Sequence, residues 1–217
     1  MICGHGGFIL FSTMAMICFR GGSEYDPQAL SYNFFTNYFS DLGYVQTYSG
    51  ESNTISLILF AIAMCIIGIT CIPFMFTFYR QFPIKTLERY IALLGGIIGI
   101  VSGLGYIGVG FTPMDQVEIL HDLMTSIAFG GNMGAALFFA IAIFRSRIIP
   151  HKYGFLLLGV VLIISVFSVL QISLYGIETP FVRTLTATGQ KVIVYLQLFL
   201  LFLVNIGISR VFREKKF

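Results

Sequence analysis

Long apolar runs separated by short polar segments make up most of the chain. A helix needs about 20 apolar residues to cross a hydrocarbon core of ~30 Å. Backbone polar groups in lipid must be satisfied within the segment, which favours helices. The pattern therefore predicts an all-α fold, a polytopic integral membrane bundle in a single domain over residues 1–217. The six predicted spans are roughly 2–20, 54–79, 90–111, 120–144, 154–176 and 190–210.

The segment 21–53 is the longest connection between predicted spans and contains the stretch SYNFFTNYFSDLG. Its aromatic residues are too dense for a disordered loop, and its polar residues are too frequent for a span. We expect a short helix at the membrane interface in this stretch, ended by Gly43. Long structured loops more often carry function than merely connect elements.

Charged residues are distributed unequally between the two ends of the predicted bundle. Ten of the 13 Lys and Arg residues fall after span two, after span four and in the C-terminal tail, and only Arg20, Arg183 and Lys191 fall at the other end. The positive-inside rule then predicts that both termini are cytoplasmic. Most acids lie at the opposite, non-cytoplasmic end. This asymmetry indicates either a solvated outer surface or a site that opens outward.

The composition supports a membrane location. Hydrophobic residues make up 57% of the chain and charged residues only 11%, against about 25% charged residues in soluble domains. We expect a multi-pass protein of the cell membrane that contacts membrane lipids and could bind a membrane-protein partner, with no nucleic acid. The four cysteines lie in apolar runs without metal-ligand spacing and are predicted to be buried free thiols.

Glycines recur at intervals of four in two predicted spans. Gly95, Gly99 and Gly103 share one face of span three, and Gly130 and Gly134 share a face of span four. This spacing lets two helix backbones approach each other in lipid. Close helix packing is the expected role of both faces.

Acids and a histidine are concentrated in GVGFTPMDQVEILHDL, residues 108–123. Thr112 can be the N-cap of the next helix, with Pro113 at the first helical position and Asp115 in a variant capping box. Acids in the first turn also suit the helix dipole. Helix capping therefore explains Asp115, and the matching structural alternatives are that His121 faces the lipid headgroups and that Asp41 ends a turn.

One histidine and several carboxylates can also bind a divalent metal or transfer protons. Asp41, at the same predicted end of the bundle, is the best candidate to complete such a site with Asp115 and His121. Ser40 beside it could be a nucleophile or could cap a turn. The candidate catalytic residues are thus Asp41, Asp115, His121 and Ser40, and a metal would take the first three, although we do not expect one. No HExxH, GxSxG or HxxxH pattern is present.

Lys191 opens the sixth predicted span. A lysine at this position usually extends towards the interface. It could instead hold a lipid phosphate or pair with a carboxylate: Asp122, Asp115 or Glu178. We expect Asp41, Asp115 and His121 to converge near the outer surface, with Lys191 close enough to balance their charge. Glu118 and Asp122 are further candidates for a ligand or charge contact.

Three segments together resemble a known membrane family. They are NYFSDLG followed by GESNTISLILF, then GFTPMDQVEILHD, then TATGQKVIVYLQLFLLF. In order and spacing they resemble the family catalogued as domain of unknown function 998, whose general plan is that of the six-helix Frag/DRAM/Sfk-type proteins. The resemblance implies a six-helix bundle and no particular activity, and the long aromatic outer loop departs from it. It also implies signature residues at the outer helix ends: Ser40, Asp41, Asn53, Asp115, His121 and Lys191.

Three functions are compatible with these features. The first is a membrane protein that binds a lipid or a protein partner through a polar pocket at its non-cytoplasmic side. The second is a membrane-embedded hydrolase or transferase, metal-dependent or not, that acts on a lipid. The third is a small-solute transporter, for which an internal repeat or mid-span charges would be expected. The sequence leaves open whether the protein is an enzyme.

Overall fold

A computed structural model of the protein describes residues 2–214 as an all-α structure. The helices are α1 (Ile2–Cys18), α2 (Thr54–Phe78), α3 (Leu87–Phe111), α4 (Met114–Arg145), α5 (Lys152–Ser173) and α6 (Pro180–Glu214). Two short 3₁₀ helices, Ser40–Gly43 and Tyr79–Gln81, lie in connections. Within the described residues no strand forms, and the all-α class is confirmed.

Five of the helices described, α2 to α6, are long and apolar enough to cross a membrane. The first helix has 17 residues, which corresponds to roughly 26 Å at 1.5 Å per residue. That length is less than the ~30 Å of a typical hydrocarbon core. The structure therefore supports a multi-pass membrane protein with five spanning helices, and α1 is the one predicted span that its length does not support.

The helices follow one another around a ring in chain order. Each packs against the next, α3 against α4 most extensively, and α1 closes the ring on α6 through a lighter contact. The loops 79–86 and 146–151 lie at one end, here called the basic end. The segments 21–53, 112–113 and 174–179 lie at the other, here called the acidic end.

The regular glycines of α3 lie in close contact with neighbouring helices, as predicted. A Cβ on Gly103 would lie 2.9 Å from the carbonyl oxygen of Gly68 in α2, and one on Gly95 would lie 3.0 Å from Phe138 in α4. In α4 the prediction was right for Gly134, which faces α3. It was wrong for Gly130, which faces open space within 4 Å.

The interfacial helix expected in the outer loop is reduced to the 3₁₀ helix Ser40–Gly43. Gly43 ends it as predicted, but the preceding residues form turns. The Asn33 side chain accepts a hydrogen bond from the Phe35 amide, and the Asn37 side chain accepts one from the Asn33 amide. Asparagine side chains that bond the local backbone compete in this way with helix formation.

Helix α6 begins about ten residues before the predicted span. Its first turns mix apolar residues with Arg183 and three threonines, so hydropathy alone did not include them. Thr184 and Thr186 donate their hydroxyl protons to the carbonyls of Pro180 and Val182, one turn earlier. These bonds satisfy the hydroxyls inside the helix, and the helix brings Arg183 to the acidic end.

Candidate functional site

Asp41 is carried into the protein interior by the 3₁₀ helix. Its side chain is 0% exposed. Its Oδ2 accepts hydrogen bonds from Asn37 Nδ2 at 3.0 Å, from the Tyr38 amide at 3.0 Å and from Arg183 Nη2 at 2.9 Å. Burial raises the pKa of Asp41 to about 6, because desolvation outweighs the opposing effect of Arg183 and these hydrogen bonds.

Arg183 is the main partner of Asp41, which the sequence analysis did not identify. Its guanidinium also pairs with Glu24 at 2.9 Å, donates to the Thr36 carbonyl at 2.8 Å and lies 4.1 Å from the centre of the Tyr38 ring. A planar fork of donors suits such a set of acceptors. One feature of the sequence could have indicated this pairing: Arg183 is one of only three basic residues predicted at an end of the bundle that is rich in acids.

Lys191 is also fully buried, at 0% exposed. Its ammonium donates to the carbonyls of Asn37 and Ala187 and lies 5.5 Å from the Tyr32 ring centre. It therefore neither extends to the interface nor forms an ion pair with Asp122, Asp115 or Glu178. It does stabilise the charge of Asp41 from a distance and lowers the pKa of that carboxyl.

Asp115 does not cap its own helix, so the capping prediction was wrong. Helix α4 begins after Pro113, and the Thr112 hydroxyl donates backwards to Gly108. The exposed Asp115 carboxylate accepts hydrogen bonds from the amides of Val45 at 3.0 Å and Gln46 at 3.2 Å. These two loop amides need acceptors, and because Asp115 supplies them, it fixes the outer loop to the start of α4.

Asn53 and the neighbouring Ser56 fix the other side of the 3₁₀ helix. Asn53 donates to the carbonyls of Leu42 and Tyr44, and Ser56 donates to Leu42. These bonds attach the 3₁₀ helix to the first turn of α2. The position of Ser40 therefore depends on α2, α4 and α6 together.

His121 is 4% exposed. Its Nδ1 lies 2.6 Å from the Thr112 carbonyl oxygen. A carbonyl can only accept, so Nδ1 must carry the proton of this bond. For Nε2 the part of the chain that the structure describes offers no hydrogen-bond partner. In the neutral ring Nε2 is therefore a free acceptor.

A central cavity, here called the chamber, lies beside His121 inside the bundle. It measures about 50 Å³ and is lined by α1, α2, α3, α4, α6 and the 3₁₀ helix. Its walls are mainly apolar, with Phe8, Phe60 and Leu198 among them. Two polar atoms in this wall, Thr125 Oγ1 and Gln197 Oε1, are buried and have no partner among the described residues.

A larger cavity, here called the vestibule, opens at the acidic end and measures about 560 Å³. The ends of α4, α5 and α6 line it with the outer loop. Its acids are Glu24, Glu118, Asp122 and Glu178. Four residues, here called the neck, line both the vestibule and the chamber: Ser40, His121, Thr125 and Gln190.

The structure brings together only part of the predicted cluster. Ser40 and His121 share the neck, and Glu118 and Asp122 line the vestibule beside them. Asp41 faces Arg183, whereas Asp115 bonds the outer loop. Over residues 2–214 no group of three or more His, Cys, Asp and Glu side chains is placed to hold a metal ion. Of the four free thiols only Cys71 is buried, and Cys3 is exposed, contrary to the expected burial of all four.

The five long apolar helices define a multi-pass helical membrane protein. A family model described as "Protein of unknown function (DUF998)" matches residues 28–204. The chain belongs to this family. Comparison with curated proteins and with solved structures gave no match.

Proposed function

We propose that this protein binds an amphiphilic ligand of the lipid class. The polar head lies in the vestibule, and the adjoining apolar part enters the chamber through the neck. One observation carries the proposal: the same four neck residues line both cavities. A more polar cavity and a mainly apolar one therefore share these four side chains as a common boundary, and an amphiphile that passes between them would match both.

Two polar atoms of the chamber support the presence of a water beside the apolar part of the ligand. A buried polar atom without a partner costs about 1–3 kcal/mol, and Gln197 Oε1 and Thr125 Oγ1 are both in this condition. The chamber of about 50 Å³ exceeds the ~10–15 Å³ that one water needs. This volume suits a short apolar segment or a few waters rather than a whole acyl chain.

The proposal includes six membrane spans with both termini cytoplasmic in the cell membrane, so that the vestibule opens on the non-cytoplasmic side. Exposed apolar side chains on α1 support its insertion as the sixth span: Ile9 is 43%, Leu10 56% and Ile17 77% exposed. Such a face is stable against lipid rather than water. The distribution of basic residues supports the orientation.

Membrane-embedded hydrolysis is a second candidate because Ser40 and His121 share the neck. The bond from His121 Nδ1 to Thr112 leaves Nε2 available as a base. Ser40 would then attack an ester carbonyl of a bound lipid. If so, the purified protein should cleave a long-chain p-nitrophenyl ester, and Ser40→Ala should abolish cleavage while leaving binding intact. Binding without cleavage by the unmodified protein would eliminate this candidate.

Photolabelling tests the binding proposal with a matched pair of variants in α6. Val194 is 9% exposed and lines the chamber, whereas Val192 is 53% exposed and faces outward. The probe is a long-chain alcohol that carries a diazirine, used on protein in lipid nanodiscs. Val194→Phe should reduce labelling of chamber residues several-fold because the ring fills the space. Val192→Phe should leave that labelling unchanged.

Peptide mapping reads the result. Labelled peptides should contain α4 and α6 residues of the neck and chamber, such as Thr125 and Leu198. Labelling that is confined to outward-facing residues such as Leu162, with no difference between the two variants, would refute a ligand site in the chamber. Both variants must first elute as monodisperse protein, so that loss of folding is separated from loss of binding.

A further inference from the structure

We infer that the head of the ligand bears a primary ammonium group. This inference rests on the proposed function, and it assigns the chemistry of the same site. It comes from the charges that line the vestibule together with an acceptor at its floor that no described residue donates to.

The vestibule has an excess of uncompensated negative charge. Glu118, Asp122 and Glu178 line it without an ion pair to any residue that the structure describes. Arg183 is the one cation among its described lining residues, and its guanidinium already pairs with Asp41 and Glu24 at 2.9 Å each. A concave surface lined by one sign of charge concentrates ligands of the opposite sign. The site therefore favours a cationic head over a phosphate or sulfate.

The floor of the vestibule supplies a second, independent observation. His121 is 4% exposed and lines both cavities. Its Nδ1 donates to the Thr112 carbonyl, so Nε2 in the neutral ring presents a lone pair without a protein donor. No described residue donates to this atom, so its donor comes from a ligand or a water in the cavity. A primary ammonium has three such N–H donors.

The aromatic residues of the vestibule argue against a quaternary ammonium. Sites for quaternary ammonium groups present open aromatic faces around the cation. The Tyr38 ring is already covered by the Arg183 guanidinium at 4.1 Å. The other two vestibule tyrosines, Tyr25 and Tyr175, are 41% and 91% exposed and so do not enclose a cation. A quaternary head would also leave His121 Nε2 without a donor. The site therefore selects the ligand by the N–H groups of its head as well as by its positive charge.

Competition against the diazirine alcohol measures this preference in nanodiscs. The competitors share a 12-carbon chain and differ in the head: dodecylamine, dodecyltrimethylammonium, dodecanol and dodecyl sulfate. Dodecylamine should reduce chamber labelling at concentrations at least ~10-fold lower than dodecyltrimethylammonium. Dodecyl sulfate should be the weakest. Ethylamine, with the same head and almost no chain, should not compete, because the ligand is an amphiphile rather than a free amine.

Three variants assign the selectivity to named atoms. The double variant Glu118→Gln/Asp122→Asn should weaken competition by dodecylamine several-fold and leave dodecanol unchanged. Glu51→Gln is the matched control, since Glu51 is an exposed acid of the same end that lies outside the vestibule. His121→Asn keeps a donor for the Thr112 carbonyl and removes Nε2. This variant should reduce the difference between the concentrations at which dodecylamine and dodecyltrimethylammonium compete with the probe.

The possible results separate the two proposals. Equal competition by all four 12-carbon compounds would overturn the ammonium inference and leave the lipid-binding proposal intact. If ethylamine competed as effectively as dodecylamine, the ligand would be a free amine, and the proposal of an amphiphile would be refuted. Absence of probe labelling in the chamber would overturn both. A Glu51→Gln effect as large as that of the double variant would show a general surface charge effect and overturn the assignment to the vestibule.

Discussion

At the scale of single residues, the acidic end is held together by two cations of α6, the buried Lys191 and the half-buried Arg183. Arg183 bonds Asp41 and the Thr36 carbonyl, and Lys191 bonds the Asn37 carbonyl. Both cations attach the outer loop to α6, so the loop that contributes Ser40 to the neck is fixed rather than free. The position of Ser40 follows from these attachments.

Loss of the Arg183 guanidinium should be costly. Arg183→Ala leaves the fully buried Asp41 carboxylate without its ion-pair partner, and such a loss destabilises by roughly 3–5 kcal/mol. Unfolding of purified protein in detergent should show this decrease. Glu24→Gln is the control, because Glu24 is 42% exposed and a surface pair contributes only about 0–1 kcal/mol. Equal effects of the two variants would contradict the buried role of Asp41.

Protonation of Asp41 should make stability depend on pH. Its pKa is raised from 3.8 to about 6 in the folded protein, so the folded state binds this proton more tightly than the unfolded state. The contribution is fully present below about pH 4 and is lost as the pH rises through about 6. The free energy of unfolding, taken as the difference between the wild type and Asp41→Asn, should therefore decrease from pH 4 to pH 7. A constant or increasing difference would contradict the raised pKa.

Residue types in the sequence predicted the location of the site but not its pairings. Ser40, His121, Glu118 and Asp122 were identified because polar residues are rare in so apolar a chain. The pairing of Asp41 with Arg183 was missed because it joins positions 142 residues apart. The capping role of Asp115 was wrong because local spacing carries no information about the loop amides that the carboxylate meets.

At the scale of elements, close contact between α2 and α3 depends on glycine. Gly68 and Gly103 face each other, and each Cβ would meet the carbonyl oxygen of the other residue within 3 Å. Gly99 faces the Met75 side chain instead, which can move more easily than backbone. The most sensitive positions of this interface are therefore Gly68 and Gly103.

A bulky residue at Gly103 should separate the two helices. Gly103→Leu places a side chain against the Gly68 backbone, and overpacking of this kind typically costs about 1–3 kcal/mol. Thermal unfolding in detergent measures the loss. Gly130→Leu, in α4 with open space around it, should be close to neutral. Comparable destabilisation by both variants would indicate a general intolerance of leucine rather than a specific contact.

Hydropathy predicted the existence of all six helices. It did not predict the polar start of α6, and a helix was wrongly expected in the outer loop, where the chain forms turns. The threonine-rich start of α6 was omitted because its hydroxyls bond backbone carbonyls, which hydropathy does not count. The helix expected in the outer loop is mostly turns because Asn33 and Asn37 bond the local backbone. Both cases depend on hydrogen bonds of individual side chains.

At the scale of the whole molecule, the helices form a ring with a chamber on its axis and a vestibule at one end. The ring order follows the chain, as alternating spans with short loops predict. The cavity could not be predicted, since it depends on side chains from five helices that meet at one depth. In the sequence, only the concentration of acids at one end of the bundle indicated a cavity there.

The proposed orientation can be tested by labelling single cysteines with an impermeant maleimide. In a background with the four native cysteines replaced, His151→Cys should react only after the cells are permeabilised, because this loop lies at the basic end. Tyr175→Cys is the control at the acidic end, where the side chain is 91% exposed, and it should react in intact cells. The reverse pattern would invert the orientation.

The central claim is that an amphiphile occupies the connected vestibule and chamber. A cryo-electron microscopy map of the protein in lipid nanodiscs tests it most directly, at a resolution that separates side chains. The account predicts elongated density that starts in the vestibule, passes between Ser40 and His121, and ends beside Gln197. A chamber filled by the protein's own side chains, with lipid density only on the outer surface of the helices, would contradict it.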